Sequence, residues 1–342
     1  MTTRAATAAT VLITGASGFV GLALAEHLLA RGDHVVGYDL APPPAIALRA
    51  FAALPGRFEA VRGDVRDAAA IGRALRDHGV ERAVLLAALT ADAARERATP
   101  QAIFEVNVGG VLAALDAAAS AGVARVVLGS SGAVYGASGY ATTTPLDELD
   151  TPLRPEGLYG ISKQAAEAAA ARLAMLHGID LRIGRLGTCF GPWEAATGAR
   201  DTLSAPWQVL HHARQGRAVR LPRDSRRDWL YVRDAATALA ALLDAPALPT
   251  PVHHLSAGFE WSLGQWCDRV ADWYPGFEWR IDGASGDAGA ATDDAVLVDC
   301  YGPRDRASLS IRRLCADTGF VPRFDLPRAA ADFHAWLAAT AA

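Results

Sequence analysis

Lysine and asparagine are almost missing from this chain. Lys163 is the only lysine among 33 basic residues, and Asn107 is the only asparagine in 342. A coding bias accounts for the scarcity but not for where the survivors sit. A lone lysine where arginine serves everywhere else marks a place that needs a compact ammonium on a flexible stem rather than a planar guanidinium. Cysteine is also sparse: Cys189, Cys267, Cys300 and Cys315 are scattered without CxxC spacing. That pattern gives neither a zinc site nor a disulfide framework, so a cytoplasmic protein without a metal is expected. No HxxxH spacing occurs, and the pairs His211-His212 and His253-His254 are not ligand motifs. No run of one charge is present and the net charge is -4, which leaves no basic face for nucleic acid. No apolar stretch reaches the length of a membrane span, since candidates such as Val11–Gly21 are broken by Gly, Ser and Thr. The opening MTTRAATAAT is too short and too weakly apolar for a secretion signal. Internal repeats are absent.

What is present is an alternation. Short runs rich in Val, Ile and Leu fall at 10–14, 34–38, 57–61, 82–86, 125–129 and 180–186. Consecutive apolar positions suit strands buried on both faces. Helical patterns rich in Ala and Leu lie between them, at 19–31, 67–78, 99–121 and 156–177. Strand–helix alternation predicts right-handed βαβ units and a doubly wound parallel α/β sheet, a Rossmann fold. Beyond residue 186 the alternation is lost, and seven of the eight tryptophans follow residue 200. This texture predicts a smaller C-terminal lobe that binds substrate, with most of the rings in its core. The expected division is 10–186 with returning segments near 225–257 for the cofactor, and 187–224 with 258–335 for the substrate. The small, polar stretch 283–296 reads as a loop.

Immediately after the first strand stands Gly15-Ala16-Ser17-Gly18-Phe19-Val20-Gly21, which opens the first helix. Glycines there allow a tight turn and a close approach of backbone to a pyrophosphate, and the helix N-terminus offers free N–H groups. Asp39 ends the second strand, 18 residues past Gly21, where a carboxylate accepts hydrogen bonds from ribose hydroxyls. Its charge would repel a 2′-phosphate and no cation neighbours it, so NAD is expected rather than NADP. Asp64, in GDV after the third strand, is placed for the adenine edge or for a turn.

Tyr159 and Lys163 are one helical turn apart in LYGISK. A phenol with a pKa of about 10 is a poor base at neutral pH. An adjacent ammonium and a nicotinamide cation favour the phenolate, and a fall of ~3 units is worth about 4 kcal/mol. Tyr159 would then take a proton as hydride leaves carbon. Ser131 ends the fifth strand in GSSGAVYG, at the carboxyl edge where such sheets bind ligands, and its hydroxyl can hold the reacting oxygen.

Together TGASGFVG, strand-end Asp39, GDV at 63–65, Asn107 in NVGGVLAALDAA, SSGAVYG, YGISK and RDWLYVRDAA (227–236) resemble the extended short-chain dehydrogenase/reductase family, in its NAD-dependent epimerase/dehydratase branch. The likeness covers about residues 10–240. It implies Ser131, Tyr159 and Lys163 as the catalytic trio. It also implies that Gly15, Ser17, Gly18, Phe19, Val20, Gly21, Asp39, Leu40, Asp64, Val65, Leu86, Ala87, Ala88, Asn107 and Leu186 join Tyr159 and Lys163 around the cofactor. Thr90, Thr188 and Arg227 would join Ser131 at the substrate, with Arg227 meeting an anionic group. Family members often pair as homodimers through the helices matching 99–121 and 156–177.

The chain also departs from that pattern. Gly132-Ala133 follows Ser131 where dehydratases of the branch carry an acidic pair, so sugar dehydration is not expected. Thr188 stands where nucleotide-sugar epimerases usually have Asn, and Arg304 and Arg306 are slightly out of register with the arginine expected near residue 300. RIGRLGTCF (182–190) is similar to the corresponding stretch of uronate dehydrogenases. Three readings follow: an NAD-dependent dehydrogenase of a sugar, sugar acid or polyol; a nucleotide-sugar 4-epimerase that keeps its NAD, its missing contacts replaced by Arg200, Arg226 or Arg227; and a non-catalytic NAD-binding regulator, disfavoured by the intact trio.

Overall fold

The computed structural model describes residues 9–199, 202–282 and 294–340. Arg200 and most of the expected loop at 283–296 lie outside them. The first half of the chain alternates as its pattern predicts. β1 (Thr10–Thr14), α1 (Phe19–Ala30), β2 (His34–Asp39), α2 (Ala45–Ala52), β3 (Arg57–Arg62), α3 (Ala68–Asp77) and β4 (Arg82–Leu85) form one wing. α4 (Ala93–Ala98), α5 (Pro100–Phe104), α6 (Gly110–Ala121), β5 (Arg125–Ser131), α7 (Leu158–His177) and β6 (Asp180–Leu186) follow. Past β6 the elements are short: β7 (Cys189–Phe190), α8 (Ala205–Arg214), β8 (Val219–Leu221), β9 (Arg226–Arg227) and β10 (Leu230–Tyr231). The chain then returns to the main sheet with α9 (Val232–Asp244) and β11 (Val252–Leu255). It finishes with β12 (Trp261–Ser262), α10 (Leu263–Trp273), β13 (Trp279–Ile281), β14 (Val296–Leu297), α11 (Arg312–Thr318) and α12 (Leu326–Thr340).

The central sheet has seven strands in the order β11-β6-β5-β4-β1-β2-β3, every pair parallel. The reversal between β1 and β4 is the switch point where such sheets bind ligands. β1 shows why both faces are covered. Val11 and Ile13 pack into the core that includes α1 and α9, while Leu12 between them packs on the other face with α3, α6 and α7. All three are fully buried, as the period of two in a doubly covered strand requires. β3 departs from the expectation of two buried faces. As the edge strand it holds only exposed and partly buried residues.

The helix expected at 99–121 is interrupted. Glu105–Gly109 forms a π-helical turn between α5 and α6, with Asn107 fully buried inside it. The run Pro100–Ala121 is also apolar and long enough to cross a membrane by composition, which the sequence reading passed over. Here it packs against α3 and α7 as a core helix. In the C-terminal region Phe190, Trp229, Tyr231, Trp261, Trp266 and Phe333 share one apolar core, with Phe190 edge-on to Trp261 at 5.3 Å and to Trp266 at 5.6 Å.

Candidate active site

At the carboxyl edge of the sheet a crevice of about 480 Å³ runs from the turn after β1 to the loops beyond β6. Its first wall is the glycine-rich turn. Gly15 has φ of +70°, and a Cβ on it would lie 2.7 Å from the Ala87 backbone nitrogen. A Cβ on Gly21 would lie 2.1 Å from the Gly15 carbonyl, so glycine lets helix and turn close on each other. α1 begins at Phe19 with no side-chain cap on its N-terminus and no acidic residue in its first turn. A helix N-terminus of that kind, with its positive dipole end and no acid beside it, suits an anion. At the far rim the Asp39 carboxylate accepts hydrogen bonds from Ser17 N (2.9 Å) and Ala41 N (3.1 Å), which fixes its direction. These residues fit the adenosine and pyrophosphate of NAD.

Gly15, Gly18, Phe19, Val20, Gly21, Leu86, Ala88, Thr90, Ser131, Tyr159, Lys163, Leu186, Thr188 and Arg227 line the crevice itself. Ser17, Asp39, Leu40, Asp64, Val65, Ala87 and Asn107 stand outside that wall. Leu40 is exposed at the rim, and Val65 is buried against Gly110. Asp64 is held by Arg66 (2.6 Å), whose guanidinium keeps its carboxyl below the ordinary range. Asn107 supports the wall from behind. Its Oδ1 accepts from Leu89 N (2.8 Å), while Nδ2 donates to Leu89 O (3.0 Å) and Ser162 Oγ (2.9 Å). It ties the loop after β4 to α7.

The three expected catalytic residues meet. Ser131 closes β5, and its Oγ accepts from Ala133 N (3.1 Å), so the strand turns sharply with the hydroxyl at the crevice. Tyr159 and Lys163 share a face of α7, with Nζ 5.9 Å from the phenol ring centroid. Nζ also donates to Gly129 O (2.8 Å) on β5. That bond anchors the ammonium between helix and strand. Burial pulls the amine down to about 8, opposed by Glu167 one turn further on.

Behind the trio lies a buried polar network. Glu167 receives Ser130 Oγ and is gripped by Arg185 through Nε (3.0 Å) and Nη2 (2.7 Å). Arg185 Nη1 donates to Tyr135 Oη (2.7 Å), and Tyr135 bonds His254 Nε2. His254 Nδ1 lies 2.9 Å from Ser310 O, so the neutral ring donates there and accepts from Tyr135. Ser130 neighbours Ser131, and Glu167 follows Lys163 by one turn, so the network fixes the two elements that carry Ser131 and Lys163.

Beyond β6 the arginines expected at the substrate are placed differently from one another. Arg227 is buried against Tyr301 (5.1 Å to the ring) and bonds Cys300 O (3.3 Å). Arg226 is exposed, near Glu260 (3.6 Å), and does not line the crevice. Arg306 does, and sequence reasoning left it out of the site. The available signal was a basic residue in GPRDR near position 300. Sequence reasoning also missed a meeting of His34, Glu59 and His78 away from the crevice, with donor atoms within 4.8 Å of one another. Glu59 is already bonded there by His34 (2.7 Å) and Arg57 (2.8 Å).

The dTDP-L-rhamnose 4-epimerase of Burkholderia thailandensis is 27% identical, covering 96% of this chain and 94% of that protein. A probable UDP-glucuronate 4-epimerase of Rhizobium meliloti is 28% identical over 69% of this chain and 68% of its own. The structure of MoeE5 in complex with UDP-glucose and NAD is 25% identical and superposes with a TM-score of 0.75, covering 97% of this chain and all of that one. Residues 11–258 match the family described as NAD dependent epimerase/dehydratase, and the chain is a member of that family of NAD-dependent enzymes.

Proposed function

We propose that this enzyme oxidises a hydroxyl-bearing carbon of a free sugar, sugar acid or related polyol, with Ser131, Tyr159 and Lys163 as the catalytic residues. NAD, when bound, supplies the hydride acceptor. Ser131 Oγ holds the reacting oxygen, and Tyr159 takes its proton. Lys163 makes that transfer favourable, because an ammonium close to the phenol stabilises the phenolate. Gly15 to Gly21 and Asp39 hold the dinucleotide, with Asn107 keeping the Leu86–Leu89 wall in place. The carrying observation is the position of the one lysine, bonded to Gly129 O and set over the Tyr159 ring at the crevice.

The test is NADH absorbance at steady state across a panel of sugars, sugar acids and UDP- and dTDP-sugars. Growth of NADH in proportion to substrate is the expected result. Product epimer without net NADH would replace this reading with the second one, a 4-epimerase of a nucleotide sugar that keeps its NAD. The names of the relatives favour that second reading, whereas Thr188 in the place of the usual Asn favours the first. The same proposal puts the cofactor on residues 10–186 with 225–257, and the substrate between them and 187–224 with 258–335. It includes a cytoplasmic homodimer paired through α6 and α7. Sedimentation would report the pairing.

A further inference from the structure

We propose that Arg306 is a carboxylate anchor that selects substrates carrying an acid group within a carbon or two of the reacting hydroxyl. The inference rests on the hydride-transfer reading of Ser131, Tyr159 and Lys163 and adds the substrate class to it.

The Arg306 side chain is only 10% exposed, yet it stands on the crevice wall with Ser131, Tyr140 and Tyr159. Its Nη2 donates to Asp228 Oδ1 (3.1 Å), while Nη1 is buried with no acceptor among the described residues. A buried guanidinium donor without a partner is costly, and a crevice site is where a ligand can meet that cost. The sequence makes room for it twice. A Cβ on Gly132 would lie 2.8 Å from Arg306 Nη1, and one on Gly139 would lie 2.6 Å from Arg306 Cγ. Gly132 directly follows Ser131. That position is empty of side chain, and an arginine fork from another segment fills the space.

Charge points the same way. Arg306 is matched by Asp228, whose other oxygen is already taken by Ser256 Oγ and Leu309 N. Asp305 alone serves both Arg223 (2.7 Å) and Arg227 (3.4 Å). Among the described residues Arg223, Arg227 and Arg306 therefore face two carboxylates, one cation in excess beside the catalytic ammonium. Location decides which anion suits it. A nucleotide sugar carries its diphosphate on the anomeric oxygen, at the far end from a reacting C4, whereas Arg306 adjoins the residue after Ser131. A planar carboxylate on the reacting end of the substrate meets a guanidinium with matched, charge-assisted geometry.

Calorimetric titration of the NAD-loaded enzyme tests this with matched pairs: glucuronate against glucose, galacturonate against galactose, gluconate against sorbitol, and UDP-glucuronate against UDP-glucose. At least one acid should bind roughly 100-fold tighter than its neutral partner, the value of a good charge-assisted pair. Arg306→Met should reduce that preference to about threefold or less, with Arg306→Lys in between. Because Arg306→Met leaves Asp228 Oδ1 buried and unmatched, the double variant Arg306→Met/Asp228→Asn repeats the measurement with the charge balanced. No acid preferred over its neutral partner in the wild type, or a preference that survives in either folded variant, overturns the anchor. Turnover, followed as NADH or epimer, is scored separately. Acids that bind through Arg306 but never react would sink the hydride-transfer reading and leave the anchor standing. Neutral sugars turned over as fast as acids would do the reverse.

Discussion

At the scale of single residues the chain keeps its one lysine where charge is hardest to hold. Lys163 is buried, and its amine falls to about 8 from the ordinary 10.5. Between those values the unfolded chain binds more protons than the folded one, so this group makes stability rise with pH across that window. Below about 8 the whole penalty is present, on the order of 3 kcal/mol as an upper bound. Lys163→Met should therefore unfold at higher urea than the wild type at pH 7, with the gap closing between pH 8 and 10.5, while turnover is lost. Equal midpoints at pH 7 would show that the buried ammonium costs nothing. Tyr159→Phe removes the hydroxyl proposed to take the proton. Its turnover should drop at least ~1,000-fold, with NAD affinity, measured by titration, within about threefold of wild type. Retained turnover would assign the base to another residue.

At the scale of elements, the alternation of β1 to β6 with their helices was legible because buried parallel strands and covering helices leave different periods in the sequence. The π turn at Glu105–Gly109 was not legible. Its residues continue an apolar helical pattern, and what sets it apart is Asn107 reaching Leu89 and Ser162, neither of them near in sequence. Asn107→Ala leaves the Leu89 backbone groups and Ser162 without those bonds. It should cost about 2–3 kcal/mol in urea unfolding and weaken NAD binding several-fold, since Leu86 and Ala88 belong to the released loop. A loss of stability with unchanged NAD affinity would reduce Asn107 to a purely structural role.

The whole molecule is tied together by the network from Ser130 through Glu167, Arg185 and Tyr135 to His254, which joins β5, α7, β6 and β11. Burial pushes His254 down to about 3 from its ordinary 6.5. Between those values the unfolded chain binds the extra proton, so stability should fall as pH drops through that window, by up to about 5 kcal/mol from this residue. The difference in urea midpoint between pH 7 and pH 4.5 should be smaller in His254→Gln than in the wild type. A variant as acid-sensitive as the wild type would place the loss elsewhere. Glu167→Ala would leave Arg185 buried without its partner, and is expected to cost about 3–5 kcal/mol by thermal or urea unfolding.

Sequence by itself determined the doubly wound sheet, the glycine turn, strand-end Asp39 and the one-turn spacing of Tyr159 and Lys163. Each of these rests on local pattern: period, strand-to-helix junction, or one helical turn of spacing. Tertiary structure decided the rest. Arg306 comes from a loop 175 positions after Ser131, and only packing against Gly132 and Gly139 brings it to the crevice. His254 was only half of a pair without ligand spacing until β11 carried it beside Tyr135. Contacts between residues far apart in the chain leave no period to read, because they are set by how layers stack rather than by which residue follows which.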